Sequence, residues 1–288
     1  MRKQEIFKTL SSYKSILEEK GYKVIYIGLY GSQNYNVDDE FSDVDCKAIV
    51  LPSLHDIIFR KVTSKTIELE NGAIDVKDLI TFYDVIRKGN FSYIESIDTE
   101  YFIGDKYIKE LFRQIRPNLK SIMGAMYEKR KALTHEYPSK HDEFKKWGFD
   151  PKQYHHIIRL YHLLCSKKSV SYMMYDGLGR SSMIDIKRNK DNLSKDFVEK
   201  DSDITIENAK KLIPEDYKYE PVDLSNEVSK YIEDSLKIEL NNNGCCYARE
   251  VRTFGNDISK KDLEKFPMLR EHNGEDISYI VYESVEIL

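Results

Sequence analysis

YGSQNYNVDDEFSDVDCKAIV, residues 30–50, joins two apolar runs of strand length. Gly31 and Ser32 follow the first run, and ten residues separate Ser32 from Asp43. Side chains alternate between the two faces of a strand, so Asp43 and Asp45 are expected to project from the same side. Two carboxylates held that close repel each other unless a cation lies between them. The stretch therefore predicts a cation site beside a strand.

Both apolar runs are predicted to be strands. KVIYIGLY, residues 23–30, is mostly apolar and rich in β-branched residues, which favours a strand buried on both faces. VDCKAIVL, residues 44–51, is the next predicted strand, and Pro52 ends it. The two predicted strands thus flank the Gly-Ser and Asp-x-Asp segments directly.

A hairpin signal follows in SKTIELENGAIDVKDL, residues 64–79. Asn71-Gly72 favours a two-residue type I′ turn between two strands. In that register Glu68 lies directly opposite Asp75, where two like charges are destabilising without a positive neighbour. Asp75 is also placed to supply a third carboxylate to the cation site, whereas Glu68 is interpreted as a residue at the sheet margin.

The Gly-Ser segment has the features of a phosphate site. A strand that turns sharply exposes backbone N–H groups, which bind phosphate oxygens. Gly31 lets that backbone approach a ligand closely, and the Ser32 hydroxyl adds a donor. Hard ions such as Mg²⁺ prefer oxygen ligands, and two such ions can clamp an in-line phosphoryl displacement. The stretch is therefore interpreted as a phosphate cradle followed by metal ligands.

A helix predicted over residues 151–166 carries a basic stripe. At 100° per residue the basic side chains occupy about a third of the circumference, and apolar side chains much of the rest. The basic residues are Lys152, His155, His156, Arg159 and His162. Two interpretations stay open from the spacing alone: a helix that faces a triphosphate, or a solvated basic face.

Other charged or glycine-containing segments are given less specific interpretations. Residues 38–40 are predicted to form a solvated acidic loop, and Glu95 is assigned a structural role. The basic residues 129–131 could touch phosphates or an acceptor backbone, although a solvated face is favoured. Residues 175–182, YDGLGRSS, are predicted to form a turn because this Gly-x-Gly lacks a preceding strand and a third glycine.

Composition and charge describe a globular protein. The chain has 288 residues, a net charge of −4 and 21 tyrosines. Residues 30–80 hold ten Asp or Glu against five Lys or Arg, and residues 113–168 hold thirteen Lys or Arg against five Asp or Glu. An acidic region that faces a basic one would suit a site binding cations on one wall and phosphates on the other. Solvated surfaces that never meet are the alternative.

Four cysteines without CxxC spacing argue against a zinc site and favour reduced thiols. We find neither a signal-peptide pattern nor a stretch of membrane-spanning length, so a cytoplasmic location without membrane association is expected. The oligomeric state is left open.

The remaining pattern is mainly helical. Apolar spacing predicts helices over residues 2–20, 81–89, 105–115, 118–133 and 223–240. Residues 185–220 are predicted to be charged and irregular, and residues 277–288 to form a closing strand.

These residues resemble the DNA polymerase β-like nucleotidyltransferases, which carry Gly-Ser, about ten residues, Asp-x-Asp on a strand and a later strand aspartate. The wider text GSQNYNVDDEFSDVDCKAIVLPS looks most like the RNA-ligase-associated polymerase-like branch of bacterial and phage nucleotidyltransferases. The resemblance covers roughly residues 22–80. It extends more loosely through GFDPKQYHHIIRL, residues 148–160, which is similar to a Lys-x-x-x-His-x-x-Arg-Leu pattern of that branch.

The resemblance implies an α/β (α+β) catalytic domain with a small mixed sheet, residues 1–104, and a mainly helical domain that completes the nucleotide site, residues 105–288. It implies two Mg²⁺ or Mn²⁺ ions held by three catalytic carboxylates, with Asp75 on the catalytic ion. Nucleoside triphosphate (NTP) would be bound by the Gly-Ser segment and by the residues of the helical pattern. The carboxylates are Asp43, Asp45 and Asp75, and the nucleotide-binding residues are Gly31, Ser32, Lys152, His156 and Arg159. His155 and His162 lie outside the pattern and are interpreted as ordinary polar-face residues.

The implied reaction transfers a nucleoside monophosphate from an NTP to an acceptor hydroxyl and releases pyrophosphate. An RNA or tRNA 3′ end is the favoured acceptor, because of the family's association and the basic region. Adenylylation of a small molecule or a protein, or a nucleotide-binding regulatory module without turnover, are the alternatives.

Overall fold

The computed structural model describes most of the chain, in six segments. They are residues 2–40, 42–137, 141–166, 174–242, 251–254 and 279–282. Contacts between residues divide the chain into two compact units, residues 1–228 and 229–288. The domain boundary predicted between residues 104 and 105 lies inside the first unit.

A five-stranded sheet organises the first unit. Its strands are β1 (Lys23–Tyr30), β2 (Asp45–Leu51), β3 (Ser64–Leu69), β4 (Gly72–Asp78) and β5 (Phe102–Gly104). They lie in the order β3-β4-β2-β1-β5. Strands β2 and β4 are parallel, and the other neighbours are antiparallel. The prediction of a small mixed sheet in an α/β chain is confirmed.

Helices fill most of the rest of the described chain. They are α1 (Arg2–Glu19), α2 (Leu54–Ile58), α3 (Leu79–Ile86), α4 (Phe91–Asp98), α5 (Lys106–Phe112), α6 (Leu119–Leu133), α7 (His141–Trp147), α8 (Pro151–Cys165), α9 (Gly177–Arg188), α10 (Lys195–Lys211) and α11 (Ser225–Asn242). The six predicted helices agree with α1, α3, α5, α6, α8 and α11 to within a few residues at each end.

Helix α1 covers one face of the sheet. Its apolar positions fall at helical spacing, and all of them are buried: Ile6, Leu10, Tyr13 and Leu17. They pack against the inward-facing side chains of β1, β2 and β4, which are Val24, Ile27, Leu29, Cys46, Ala48, Val50, Ile74 and Val76. Because side chains alternate along β2, Asp45 and Lys47 project from the opposite face. Asp45, one of the candidate site residues, therefore lies on the face away from α1.

The hairpin register differs from the prediction. Strands β3 and β4 pair Glu68 with Ala73 and Thr66 with Asp75, so Glu68 does not oppose Asp75. The central turn residues are residues 70–71, and neither has the positive φ that a type I′ turn requires. The predicted position of the turn is therefore wrong by one residue, and its predicted type is also wrong.

A contact with β2 explains this register. Gly72 has φ +149°, and a Cβ atom on it would lie 2.2 Å from the carbonyl oxygen of Val44. The N–H of Val44 donates to the carbonyl oxygen of Asn71 at 2.9 Å. Only a glycine fits where the hairpin backbone meets the start of β2, so Gly72 becomes the first residue of β4 instead of a turn residue.

Two predictions in the later half of the first unit are wrong. Residues 185–220, expected to be irregular, contain the end of α9 and the whole of α10. Residues 175–182, expected to form a turn, include the first residues of α9. Tertiary packing accounts for α9, because its Met183 is buried against Tyr35 and Val37 of the segment after β1. Such long-range contacts override weak local helix propensity.

Helices α6, α8 and α10 form a second core within the first unit. The buried members are Ile122, Met123, Met126, Ile157, Leu160, Leu163, Ile206 and Ala209. This packing buries one side of α8. The other side faces the segment that connects β1 to β2.

In the second unit, β6 (Val251–Phe254) pairs antiparallel with β7 (Tyr279–Tyr282). The closing strand predicted for residues 277–288 is confirmed for its four described residues. Free thiols are found at Cys46, which is buried, and Cys165, which is exposed; the other two cysteines lie outside the described residues. No helix in the described parts of the chain combines the length and apolarity needed to cross a bilayer.

Candidate functional site

A cavity of about 450 Å³ lies between the β1–β2 connection and helix α8. Its lining contains seven of the eight predicted site residues, all except Asp75. The lining residues are Tyr30, Gly31, Ser32, Tyr35, Ser42, Asp43, Asp45, Phe91, Lys129, Lys152, His155, His156, Arg159, Leu160, Lys187 and Arg188. The first half of this set comes mostly from the sheet side, and the second half from helices α6, α8 and α9.

The Gly-Ser segment turns sharply at the end of β1. Gly31 has φ +82°, in the left-handed region that favours glycine. Its carbonyl oxygen accepts from the N–H of Asn34 at 3.0 Å, and the Ser32 carbonyl oxygen accepts from the N–H of Val37 at 3.0 Å. A Cβ atom on Gly31 would lie 3.4 Å from Oδ2 of Asp45. The turn therefore places the Gly-Ser backbone directly beside the Asp-x-Asp segment.

Asp43 and Asp45 form the acidic part of the lining. Asp43 is exposed and precedes β2, whereas Asp45 is half-buried and begins it. Oδ1 of Asp45 accepts from the N–H of Ala73 at 3.1 Å. Burial raises the pKa of Asp45, and the charge of Asp43 adds to this rise, whereas the Ala73 N–H and the Lys152 ammonium oppose it. The two carboxylates are oxygen donors of the type that one hard divalent ion requires.

The structure gives Asp75 different surroundings. Oδ2 of Asp75 accepts from Lys47 Nζ at 3.0 Å and from the Tyr93 hydroxyl at 2.6 Å. Lys77 Nζ lies 3.4 Å from Oδ1. Burial alone would raise the pKa of Asp75, but the charge of Lys47 and these hydrogen bonds lower it. Within the described residues, no group of three or more His, Cys, Asp or Glu side chains is arranged to hold a metal ion.

Helix α8 brings Lys152, His156 and Arg159 to the cavity, but Arg159 is also part of a buried network. Its Nη1 donates to Oε1 of Glu95 at 2.7 Å, and the Tyr35 hydroxyl donates to Oε2 of the same carboxylate at 2.6 Å. The guanidinium lies 4.0 Å from the centre of the Tyr35 ring. Glu95 is fully buried, which agrees with the structural role assigned to it.

His155 is buried, so its interpretation as an ordinary polar-face residue is wrong. The residue is 2 % exposed, and neither ring nitrogen has a hydrogen-bond partner within the described chain. Burial and the nearby charges of Arg159, Lys187 and Lys152 lower its pKa to about 3. Burial also lowers the pKa of His156 well below its usual range. Both imidazoles are therefore neutral at physiological pH.

Sequence reasoning missed the basic residues that α9 contributes. Arg188 binds Asp39 through two hydrogen bonds, Nε to Oδ2 at 2.6 Å and Nη2 to Oδ1 at 2.7 Å. Lys187 Nζ donates to the Ser42 hydroxyl at 2.8 Å. Asp39 is thus held in an ion pair and does not belong to a solvated loop. The acidic composition of the β1–β2 connection was the available signal, because such a segment needs basic partners.

The sequence favours a solvated position for Lys129, on α6. The structure places it on the cavity lining, half-buried, and burial lowers its pKa. Within the described residues, the ammonium groups of Lys129 and Lys152 form neither an ion pair nor a hydrogen bond. These two cations are therefore available to an anionic ligand.

Comparison with known proteins adds little. The chain matches no protein-family model and no curated protein sequence. Among solved structures it is similar to a nucleotidyltransferase-like protein from Exiguobacterium sibiricum 255-15, with 12% identity over 97% of this chain and 99% of that chain, at a TM-score of 0.27. A likeness at this level assigns neither family nor activity, so the function is argued from the site alone.

Proposed function

We propose that this protein is a divalent-cation-dependent nucleotidyltransferase, which transfers a nucleoside monophosphate from an NTP to an acceptor hydroxyl. The observation that carries the proposal is one cavity lined both by carboxylates, from the β1–β2 connection and β2, and by ammonium groups, from α6 and α8. A triphosphate carries several negative charges, and its transfer chemistry depends mainly on positioning and charge neutralisation. A triphosphate that binds the carboxylates through a cation would also contact the ammonium groups.

On the acidic wall, Asp43 and Asp45 are the proposed cation ligands, and Mg²⁺ or Mn²⁺ is the proposed ion. Asp43 and Asp45 would hold such an ion, which would neutralise the charge that develops on the leaving pyrophosphate. Asp45 is oriented by the Ala73 N–H, which leaves its Oδ2 on the side of Gly31. The proposed cation site therefore lies beside Gly31 and Ser32, the proposed phosphate-binding residues.

The triphosphate is proposed to lie between the Gly-Ser turn and helices α6 and α8. Gly31 and Ser32 contribute backbone N–H groups and a hydroxyl. Lys129 and Lys152 contribute charge from α6 and α8, since neither ammonium group forms an ion pair with a described carboxylate. Arg159 adds a further positive charge, although Glu95 compensates much of it.

The proposed step is an in-line displacement. The oxygen of the acceptor hydroxyl bonds to the α-phosphorus, and the bond from that phosphorus to the bridging oxygen breaks. Pyrophosphate leaves with the electron pair, and the proton of the acceptor hydroxyl passes to a carboxylate of the Asp43–Asp45 pair. No covalent enzyme intermediate is needed.

An RNA 3′ end is the acceptor that we propose to test first. Basic side chains of the region 113–168 are exposed on the first unit, which favours contact with a sugar-phosphate backbone. The exposed members include Arg113, Arg116, Lys120, Lys131, Lys145, Lys146 and Lys152. A small-molecule or protein hydroxyl would not need such a surface.

The test follows label from each NTP. The protein is incubated with each NTP in turn, radiolabelled at the α-phosphate, together with Mg²⁺ or Mn²⁺ and total RNA, and then RNA, protein and small molecules are resolved. We expect label in RNA, and label in protein or in small molecules would reassign the acceptor. Asp45→Asn should abolish transfer, whereas Asp84→Asn, which changes an exposed carboxylate paired with Arg87, should not. Absence of transfer to every acceptor with all four NTPs would overturn the proposal.

A further inference from the structure

The family resemblance implies a two-ion site held by Asp43, Asp45 and Asp75. The surroundings of these three carboxylates divide them into two groups. Asp43 and Asp45 line the cavity, and Asp75 does not. We infer that the site binds a single divalent ion through Asp43 and Asp45, and that Asp75 serves a partly buried ion pair with Lys47 instead of a second ion. This inference rests on the proposed function and specifies its metal content.

Both oxygens of the Asp75 carboxylate lie near protein cations. Its Oδ2 accepts hydrogen bonds from both Lys47 and Tyr93, and its Oδ1 lies 3.4 Å from the Lys77 ammonium. Asp45 differs, because Ala73 supplies a single backbone donor to its Oδ1. A cation can join Asp45 without displacing a protein cation, whereas at Asp75 it would compete with the ammonium groups of Lys47 and Lys77.

Lys47 cannot easily give way. It lies on β2 and is 7 % exposed. Its ammonium lies 4.6 Å from the centre of the Tyr30 ring and 4.1 Å from that of Tyr93, so aromatic faces hold it on two sides. Removing Asp75 from this contact would leave a buried ammonium without its counter-charge, which is strongly unfavourable. The pair therefore persists when a ligand enters the cavity.

Electrostatic repulsion gives a second reason. A divalent ion bound by Asp75 would lie beside two ammonium groups, those of Lys47 and Lys77, in a partly desolvated position where charges are weakly screened. The charge that a second ion would supply to the triphosphate is available elsewhere, because Lys129 and Lys152 reach the cavity from α6 and α8. The site thus replaces one metal ion with protein cations.

The experiment counts bound ions. The wild-type protein is dialysed to equilibrium against Mn²⁺ and the α,β-methylene analogue of each of the four nucleotides in turn, and bound Mn²⁺ and bound nucleotide are both measured. We expect a ratio of about one Mn²⁺ per bound nucleotide, instead of about two as in a two-ion site. A ratio of two would overturn the inference and leave the proposed function intact. Retention of no Mn²⁺ with any nucleotide would overturn both.

Variants show which carboxylates hold the ion. Asp43→Asn and Asp45→Asn should each weaken Mn²⁺ binding at least about tenfold, whereas Asp75→Asn should change it by less than about threefold. If Asp75→Asn does not fold because Lys47 is left unpaired, the double variant Lys47→Met with Asp75→Leu removes both charges together. That variant should also retain about one Mn²⁺ per bound nucleotide, and complete loss of Mn²⁺ from it would overturn the inference.

Discussion

At the scale of single residues, Glu95 and Arg159 connect three elements that surround the cavity. Glu95 lies on α4 and Arg159 on α8, and Tyr35 of the turn after β1 donates to the same carboxylate. Both charged side chains are at most 3 % exposed. A buried pair is not a source of large net stability, but leaving one member without the other is costly.

The first prediction concerns this pair. Glu95→Gln should lower the free energy of unfolding by about 3 to 5 kcal/mol, because the Arg159 charge would stay buried without a counter-charge. Urea unfolding followed by circular dichroism measures the change. Glu110→Gln is the matched control, since Glu110 pairs with Arg113 on the surface and should cost less than about 1 kcal/mol. Equal unfolding midpoints for Glu95→Gln and wild type would contradict the buried pairing.

The second prediction compares two glycines. Gly72→Ala should destabilise the protein by more than about 2 kcal/mol, because the new methyl group meets the Val44 carbonyl at 2.2 Å and the φ of +149° is strained for alanine. Gly124→Ala, in α6 with nothing within 4 Å of the new atom, should instead raise stability by about 0.5 to 1 kcal/mol. Thermal unfolding of both variants checks the pair, and a destabilisation shared by both would contradict the proposed reason.

At the scale of elements, three helices give the cavity its basic groups, but they hold them in different ways. Lys187 and Arg188 of helix α9 bind side chains of the β1–β2 connection, so their charges stabilise that segment. Helix α8 has Arg159 bound to Glu95. Lys129 on α6 and Lys152 on α8 are left to meet a ligand. The packing of α6 against α8 therefore sets the distance between the two available cations.

The third prediction tests this division within α6. Lys129→Met should weaken binding of a non-hydrolysable NTP roughly ten- to a hundredfold, since a charge-assisted hydrogen bond to phosphate contributes about 1.5 to 3 kcal/mol. Isothermal titration calorimetry measures the affinity. Lys120→Met is the control, because Lys120 is exposed near the start of the same helix and does not line the cavity. Equal affinities of the two variants would show that Lys129 does not contact the nucleotide.

At the scale of the whole molecule, the two neutral histidines of α8 link stability to pH. The folded-state pKa of His155 is about 3 and that of His156 lies well below its ordinary value, so the unfolded chain binds protons before the folded one. Their contribution is fully present above about pH 6.5 and is lost as pH falls toward the folded-state values. Acid should therefore destabilise the fold before most carboxylates are protonated.

The fourth prediction follows from this linkage. Between pH 6.5 and pH 5 the free energy of unfolding should fall as the unfolded chain takes up protons on the two histidines, and the slope from His155 should approach about 1.4 kcal/mol per pH unit toward pH 5. Urea unfolding at several pH values measures this slope. His155→Asn should reduce this slope, because the unfolded chain then binds one proton fewer in this range. A slope equal to that of the wild type would show that His155 takes up its proton in the folded state.

Local patterns in the sequence were sufficient to predict strands β1 and β2 and helix α1, whereas the mixed sheet followed from the family resemblance. The spacing of apolar residues along a helix or strand indicates which of its faces is buried, and this spacing depends only on nearby residues. The Gly-Ser turn and the Asp-x-Asp segment were predictable for a similar reason, because each requires only residues adjacent in the chain. Accordingly, Gly31, Ser32, Asp43 and Asp45 all line the cavity.

Tertiary structure decided the features that depend on distant partners. The hairpin register depends on the contact of Gly72 with Val44, and the existence of α9 depends on Tyr35 and its neighbours. Asp75 is engaged by Lys47 of a neighbouring strand, and Arg159 by a carboxylate 64 residues away. The charge of a side chain can be read from its letter, but whether that charge is already compensated depends on which elements pack beside it. For this reason the sequence alone indicated a three-carboxylate site, and only the fold separated Asp75 from the other two.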